Sequence, residues 1–180
     1  QVITDPDPIC LSLRDLPLVR RVDVVVAGAT VPAAAAAVAA AGAGAKTLVL
    51  APRLYVGEDL CATLRLWREQ DDDDVSLVRE AFADAPATTP LRIKRTLEAH
   101  LLDADVDVLL GCMPVGLVYS RDGAVRGLVI ANRAGRQAVA AGAVVDATQF
   151  GLVSRLTRPP SRACPRGVPV RRVVLGGRGD

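Results

Sequence analysis

The sequence is poor in several residue types that mark common functional classes. Only 3% of its residues are aromatic, which argues against a surface for stacking nucleic-acid bases or binding carbohydrate. Lys and Arg number 22 and Asp and Glu number 20, so the net charge is only +2. Because charges of both signs are scattered along the chain, we expect neither nucleic acid nor a membrane surface as a partner.

Metal and disulfide patterns are also lacking. The four cysteines, Cys10, Cys61, Cys112 and Cys164, are far apart, and no pair has the spacing of metal ligands. We therefore expect no metal site, and reduced thiols in a cytoplasmic protein. A redox role for Cys61 would need a partner cysteine or a cationic neighbour. His100, the single histidine, lies beside an apolar helical stripe, which favours a partly exposed helix residue over a general base.

Long hydrophobic runs are absent as well. The Ala-rich run after Val31 is broken by Gly42 and Gly44 and closed by Lys46, so it is too short and too weakly apolar to cross a bilayer. The first twenty residues contain aspartates and no apolar stretch, so we expect no signal peptide. Because the first residue is Gln1 rather than Met, we expect the sequence to be part of a longer protein.

Apolar residues, mainly Ala, Val and Leu, make up 51% of the 180 residues, which is enough for a buried core. This length suits one domain, or one domain with part of a second. We expect an N-terminal extension over residues 1–21 and a folded domain over residues 22–156. An Arg- and Pro-rich tail over residues 157–180 would begin a further domain.

The first half of the folded domain has the pattern of a βαβ unit. Residues 22–27, apolar except for Asp23, have the pattern of a strand buried on both faces. A tight turn at 28–30 leads to a helix over 33–43, with Pro32 near its first position. A second buried strand follows at 47–50. Such a crossover is right-handed in nearly all known cases.

The second half combines a helix, a strand and an antiparallel segment. Thr89 and Pro90 predict the start of a helix, whose buried stripe would be Ile93, Leu97 and Leu101. A strand at 106–110 follows.

The dipeptide Asp122-Gly123 predicts a hairpin between strands at 115–120 and 124–131. Further strands are expected at 136–140 and 143–147. The fold class is therefore α/β, a Rossmann-like βαβ parallel sheet with an inserted antiparallel β-meander.

The positions that carry chemistry lie in the first turn. Gly28-x-Thr30-x-x-Ala33 is a variant of the Gly-x-Gly-x-x-Gly pattern, in which a sharp turn brings a helix N-terminus to a diphosphate. Gly28, Ala29, Thr30 and Ala33 are therefore candidate phosphate contacts. Small residues here would also suit a tightly packed crossover that binds no ligand.

The segment VDVVVAGATVPAAAAAVAAAGAGAKTLVLAPR resembles the opening of bacterial FAD-dependent oxidoreductases of the glutathione-reductase type. The resemblance continues through LYVGEDLCATLRLW, TPLRIKRTLEAHLLDADVDVLLG and GLVIANRAGRQAVAAGAVVDAT, and it covers residues 11–156. It implies the N-terminal, FAD-binding portion of such an enzyme, in which the flavin transfers hydride or electrons to or from a small-molecule substrate. It identifies no catalytic residue, substrate or oligomeric state.

The same resemblance implies further cofactor contacts. The segment 57–59 matches the loop that lies over the cofactor, position 115 matches a backbone contact to adenine, and 147–148 match a second strand end at the cofactor. Arg53 would line the ribose side. The candidates added in this way are Arg53, Gly57, Glu58, Asp59, Val115, Ala147 and Thr148.

Three positions depart from the family pattern and leave alternatives open. Thr30 stands where a second glycine is usual, and its hydroxyl is expected to donate to a phosphate oxygen. Ala51 replaces the usual acidic residue at the ribose, and Gln149 replaces a glycine. An arginine at 53 without that acid also suits the 2′-phosphate of NADP, so an NADP-binding domain is one alternative. An inactive Rossmann-like scaffold is the other.

Overall fold

The computed structural model describes residues 16–68, 76–83 and 85–157. The predictions for most of the N-terminal extension and for nearly all of the tail lie outside these residues. The elements are β1 (Leu18–Ala27), α1 (Val31–Gly42), β2 (Thr47–Ala51), α2 (Glu58–Cys61), α3 (Ser76–Phe82), α4 (Pro90–Asp103), β3 (Asp107–Leu110), β4 (Met113–Tyr119), β5 (Val125–Asn132), β6 (Gly135–Asp146) and α5 (Leu152–Leu156).

The described strands form one six-stranded sheet in the order β3-β2-β1-β6-β5-β4. The pairs β1–β2, β2–β3 and β1–β6 are parallel, whereas β4–β5 and β5–β6 are antiparallel. This arrangement confirms the α/β class and the antiparallel meander joined to a parallel βαβ sheet. It also brings the carboxyl ends of β1, β2 and β6 to one edge, where ligands of such sheets bind.

Two details of the strands differ from the prediction. The strands expected at 136–140 and 143–147 are one strand, because β6 pairs with β5 in its first half and stays extended beside β1 through Ala141 and Ala143. Strand β1 begins at Leu18 rather than at residue 22, since Leu18 pairs with Ala138 of β6. The exposed side chains of residues 20 and 21 hide this extension from a pattern of apolar residues.

Both faces of the sheet are covered, as expected for buried parallel strands. On one face, α1 and α4 pack against Val26 and Val49, and the predicted stripe of Ile93, Leu97 and Leu101 is fully buried there. The other face carries a second apolar cluster, which is shared by the parallel strands, the meander and α5. Its largest members are Leu48, Leu50, Leu128 and Ile130.

The start of α4 is as predicted: Thr89 caps it, its side-chain oxygen accepting from the backbone N–H of Arg92, with Pro90 in the first turn. Helices α2, α3 and α5 were not predicted, and they have only four, seven and five residues. Segments so short carry less than two turns of apolar periodicity.

Candidate functional site

The turn between β1 and α1, residues 28–30, is called the Gly28 turn. Gly28 has a φ of +113°, which favours glycine, and its amide donates to the carbonyl of Leu50 at 2.9 Å. A Cβ at this position would lie 2.5 Å from the carbonyl oxygen of Ala147. Glycine is therefore required because the end of β6 packs directly against the turn.

Thr30 caps α1 and is almost fully buried. Its hydroxyl oxygen accepts from the amide of Ala33 at 3.2 Å, and its proton is donated to the carbonyl of Ala147 at 3.1 Å. In this structure Thr30 joins the tip of α1 to the end of β6, and donation of its hydroxyl to a phosphate oxygen stays a prediction.

Each backbone N–H in the first turn of α1, residues 31–34, has a hydrogen-bond partner. The amide of Val31 donates to both carboxylate oxygens of Asp59, at 3.1 and 3.2 Å. Pro32 has no N–H, the amide of Ala33 is bound to Thr30, and that of Ala34 donates to the carbonyl of Thr30 at 3.0 Å.

Glu58 and Asp59, called the acidic pair, are held against the Gly28 turn by the start of α2. The amides of Gly57 and Glu58 donate to the carbonyl of Ala29 at 2.6 and 3.3 Å. Gly57 has a φ of +82°, and a Cβ there would lie 2.8 Å from the side chain of Ile93. The sequence therefore places two carboxylates beside a helix N-terminus by means of one tightly packed glycine.

The electrostatics of the acidic pair reflect this confinement. Burial raises the pKa of Glu58, while Arg53 and the backbone amide of Ala29 act in the opposite direction. Burial also raises the pKa of Asp59, against the hydrogen bond from Val31. Arg53 pairs with Glu58 at 3.5 Å, with its own side chain 55% exposed. Charge on the pair is thus costly but supported by nearby donors.

The end of β6 forms the opposite wall. The amide of Ala147 donates to the carbonyl of Ala27 at 2.9 Å. Thr148 donates through its hydroxyl to Asp146 at 2.6 Å, and that hydroxyl accepts from the amide of Leu152 at 2.7 Å. Thr148 therefore orders the start of α5 in this structure.

Asp146 is a residue that sequence reasoning missed. Its carboxylate accepts from the amide and hydroxyl of both Thr148 and Ser154. Burial opposes its ionisation, but these hydrogen bonds outweigh burial and the pKa of Asp146 is lowered. An Asp two residues before a Thr at a predicted strand end is a local signal for such a turn.

The side on which the ribose is predicted is built by the ends of β2 and β3 and the start of β4. Ala51 is fully buried and offers no carboxylate. Its carbonyl accepts from the amide of Cys112 at 3.0 Å, and that of Arg53 accepts from Gly111 at 3.2 Å. Val115, 40% exposed, lies two residues after the first residue of β4, so the predicted adenine contact is on the strand that starts beside Ala51.

Other residues weighed from the sequence have ordinary structural surroundings. His100 contacts Glu80, with 2.7 Å between Nε2 and the carboxylate. Cys61 is buried with its thiol against the carbonyl of Pro90, and burial raises its pKa, which disfavours a reactive thiolate.

Clusters of metal-binding side chains and membrane-spanning helices are absent from the described part of the chain. Within residues 16–68, 76–83 and 85–157, no three His, Cys, Asp or Glu side chains are grouped so that they could hold a metal ion. No helix in those same ranges has the length and apolar character needed to span a membrane.

A βαβ crossover that begins in a glycine turn is typical of a dinucleotide-binding domain. Here two antiparallel strands, β4 and β5, precede the last parallel strand, β6, in the sequence. A family model for FAD dependent oxidoreductases matches residues 23–163. The chain belongs to this family: it is the FAD-binding portion of an FAD-dependent oxidoreductase, and its cofactor is FAD. No curated protein sequence matches it.

Solved structures share the fold at low sequence identity. THI4 of Thermovibrio ammonificans is 20% identical with a TM-score of 0.59, over 78% of this chain and 63% of that one. A geranylgeranyl bacteriochlorophyll reductase-like protein of Thermoplasma acidophilum is 22% identical with a TM-score of 0.58, over 79% and 43%.

A third solved structure, glycerol-3-phosphate dehydrogenase from Bacillus halodurans complexed with FAD, is 14% identical with a TM-score of 0.54, over 71% of this chain and 34% of that one. The chain thus spans less than two thirds of each of these three structures.

The residues present fit FAD in their placement. Gly28 leaves no space for a Cβ, and α1 points its N-terminus to the edge where β1 and β6 end. Of the predicted site residues, the structure brings together Gly28, Ala29, Thr30, Ala33, Gly57, Glu58, Asp59 and Ala147, with Arg53 joined through Glu58. Thr148 follows directly, and Val115 lies farther along the ribose side.

Proposed function

We propose that this portion binds the ADP half of FAD at the Gly28 turn, and that the whole protein transfers hydride or electrons to or from a small-molecule substrate. The observation that carries the proposal is the convergence of the ends of β1 and β6 with the N-terminus of α1 at one glycine. The flavin, when bound, supplies the redox chemistry. The chain's own residues bind and orient it.

In this proposal each wall has a distinct task. The Gly28 turn and the tip of α1 face the diphosphate, since helix N-termini favour anions. Arg53 and the start of β4 form the ribose and adenine side, with Val115 against the base. Thr148 is fixed by its hydrogen bonds with Asp146 and Leu152, and it holds the end of β6 in place beside the cofactor.

The direct test is the visible spectrum of the purified protein, followed by titration of flavin-free protein with FAD. A bound flavin is expected, and its loss is expected in Gly28→Val because the new side chain would collide with the backbone of Ala147. Gly44→Val is the control, since Gly44 also has a positive φ but a Cβ there would meet no atom within 4 Å. Retained flavin in a folded Gly28→Val variant would refute this assignment.

The NADP alternative has one specific observation in its favour. Ala51 offers no acid to a ribose, and the Arg53 side chain is half exposed, as a 2′-phosphate would require. The antiparallel meander favours FAD instead. A protein that binds no flavin but gains thermal stability with NADP would support the alternative, and one that responds to neither would be an inactive scaffold.

We also propose a reducing, cytoplasmic location for the protein. Cys61 and Cys112 are both buried free thiols, as is usual where thiols stay reduced. Secretion of the whole protein into an oxidising compartment, measured by cell fractionation, would contradict this proposal.

A further inference from the structure

The amide of Val31 is the N–H that a phosphate would be expected to contact at the tip of α1, a helix of twelve residues. In this structure its partner is Asp59, both of whose carboxylate oxygens lie within 3.2 Å. The chain therefore supplies its own anion at the position where the proposed function requires a phosphate.

A second carboxylate extends this occupation. Glu58 lies at the same turn, because its backbone amide donates to the carbonyl of Ala29 at 3.3 Å. Two carboxylates are thus held at the turn, and a bound diphosphate would bring a comparable charge to the Val31 amide that Asp59 occupies. One N–H cannot donate a full hydrogen bond to a carboxylate and a phosphate at once, and the like charges repel.

We propose that the acidic pair is an internal competitor for the cofactor diphosphate, so that FAD binds fully only when Asp59 releases the Val31 amide. This inference rests on the proposed function, because it concerns the same site. It accounts for the carboxylate that engages the Val31 amide at the tip of α1.

The surroundings allow such a release. Burial disfavours the charged form of the Asp59 carboxylate at its present place, and Glu58 has Arg53 at 3.5 Å as an alternative partner. Rotation of the Asp59 side chain alone would free the Val31 amide and leave α2 and the sheet in place.

The test measures FAD affinity rather than activity. Flavin-free full chain is titrated with FAD at neutral pH, and binding is followed by flavin fluorescence and calorimetry, for the wild type, Asp59→Asn and the double variant Glu58→Gln/Asp59→Asn. Asparagine keeps an oxygen that accepts from Val31 but removes the charge. The dissociation constant is expected to fall about tenfold or more in Asp59→Asn, the worth of one charge-assisted hydrogen bond.

The matched control is Asp23→Asn. The Asp23 carboxylate also accepts from a backbone amide, that of Lys46 at 2.8 Å, but it lies away from the Gly28 turn in β1. Its variant is expected to bind FAD within about twofold of the wild type. Circular dichroism of each variant verifies the fold before titration.

The outcomes separate the two proposals. If the wild type binds FAD and Asp59→Asn binds it no more tightly, Asp59 is only a helix cap, and the competitor proposal fails while FAD binding stands. If the wild type and both acidic-pair variants fail to bind FAD, the proposed function fails, and the competitor proposal fails with it. Weak wild-type binding that becomes tight in the variants supports both.

Discussion

Replacing Gly28 with alanine should weaken the folded state more than any surface substitution in this chain. The new Cβ would lie 2.5 Å from the oxygen and 2.7 Å from the carbon of the Ala147 carbonyl, and 3.0 Å from the amide nitrogen of Thr148. All three are backbone atoms of the segment that ends β6, so no side-chain rotation relieves the contact. Either the turn or the strand end must move.

The size of the effect follows from what such a movement breaks. A non-glycine residue at a φ of +113° adds about 1–3 kcal/mol of strain. Shifting Ala147 also weakens its hydrogen bonds with Ala27 and Thr30, at about 1 kcal/mol each. The loss in unfolding free energy should therefore be about 3–5 kcal/mol, a large part of the ~5–15 kcal/mol that stabilises a typical domain.

Urea unfolding measures this loss, with Gly44→Ala as the control. Gly44 has a φ of +87°, but a Cβ there meets nothing within 4 Å, so the control contains the strain without the collision. It should lose only about 1 kcal/mol. Equal losses for the two variants would refute the conclusion that the end of β6 packs against the Gly28 turn.

Three further predictions concern the core, the turn around Asp146 and the N-cap of α1. Leu97→Ala should cost about 2–5 kcal/mol because Leu97 is fully buried, whereas the control Leu102→Ala, at a side chain 75% exposed, should change urea stability by less than about 0.5 kcal/mol. The pKa of Asp146 is lower in the folded protein than that of an ordinary carboxyl group. Its contribution to the free energy of unfolding is therefore complete above the ordinary carboxyl pKa, and it is lost as the pH falls through the pKa of the folded state. Asp146→Asn should therefore reduce the acid dependence of stability, and an unchanged dependence would contradict this. Thr30→Val should cost about 1–2 kcal/mol through the lost cap, measured by thermal unfolding, and no loss would contradict the role of the hydroxyl.

The parts of the fold that were predicted from the sequence are those with local signals. Residues 24–27 and 48–50 are short uninterrupted apolar runs, Thr89 and Pro90 give a cap and a first turn, and Asp122-Gly123 gives a hairpin. The continuity of β6 has no such signal, because it depends on pairing with β1, which lies more than a hundred residues earlier in the sequence.

The location of the site was predicted, but the partners of its side chains were not. Thr30 and its partner Ala147 are 117 residues apart, and Val31 and Asp59 are 28 apart. Only the fold brings such groups together, so a motif can identify the turn without showing which of its donors are engaged. The cap role of Thr30 does have a local signal, since a threonine directly before the first turn of a helix is a preferred N-cap.

The departures from the glycine pattern therefore have different consequences for the cofactor. At positions 28 and 30 the carbonyl oxygen of Ala147 contributes to both side-chain requirements: it would lie 2.5 Å from a Cβ at Gly28, and it accepts the proton of Thr30. A glycine at position 30 would let a diphosphate approach the backbone closely. Threonine instead forms a hydrogen bond that fixes α1 to β6, and it does not itself engage the Val31 amide. Whether that amide is offered to a diphosphate depends on Asp59, a residue outside the pattern, so the strength of FAD binding should follow the charge at position 59 more closely than the number of glycines in the turn.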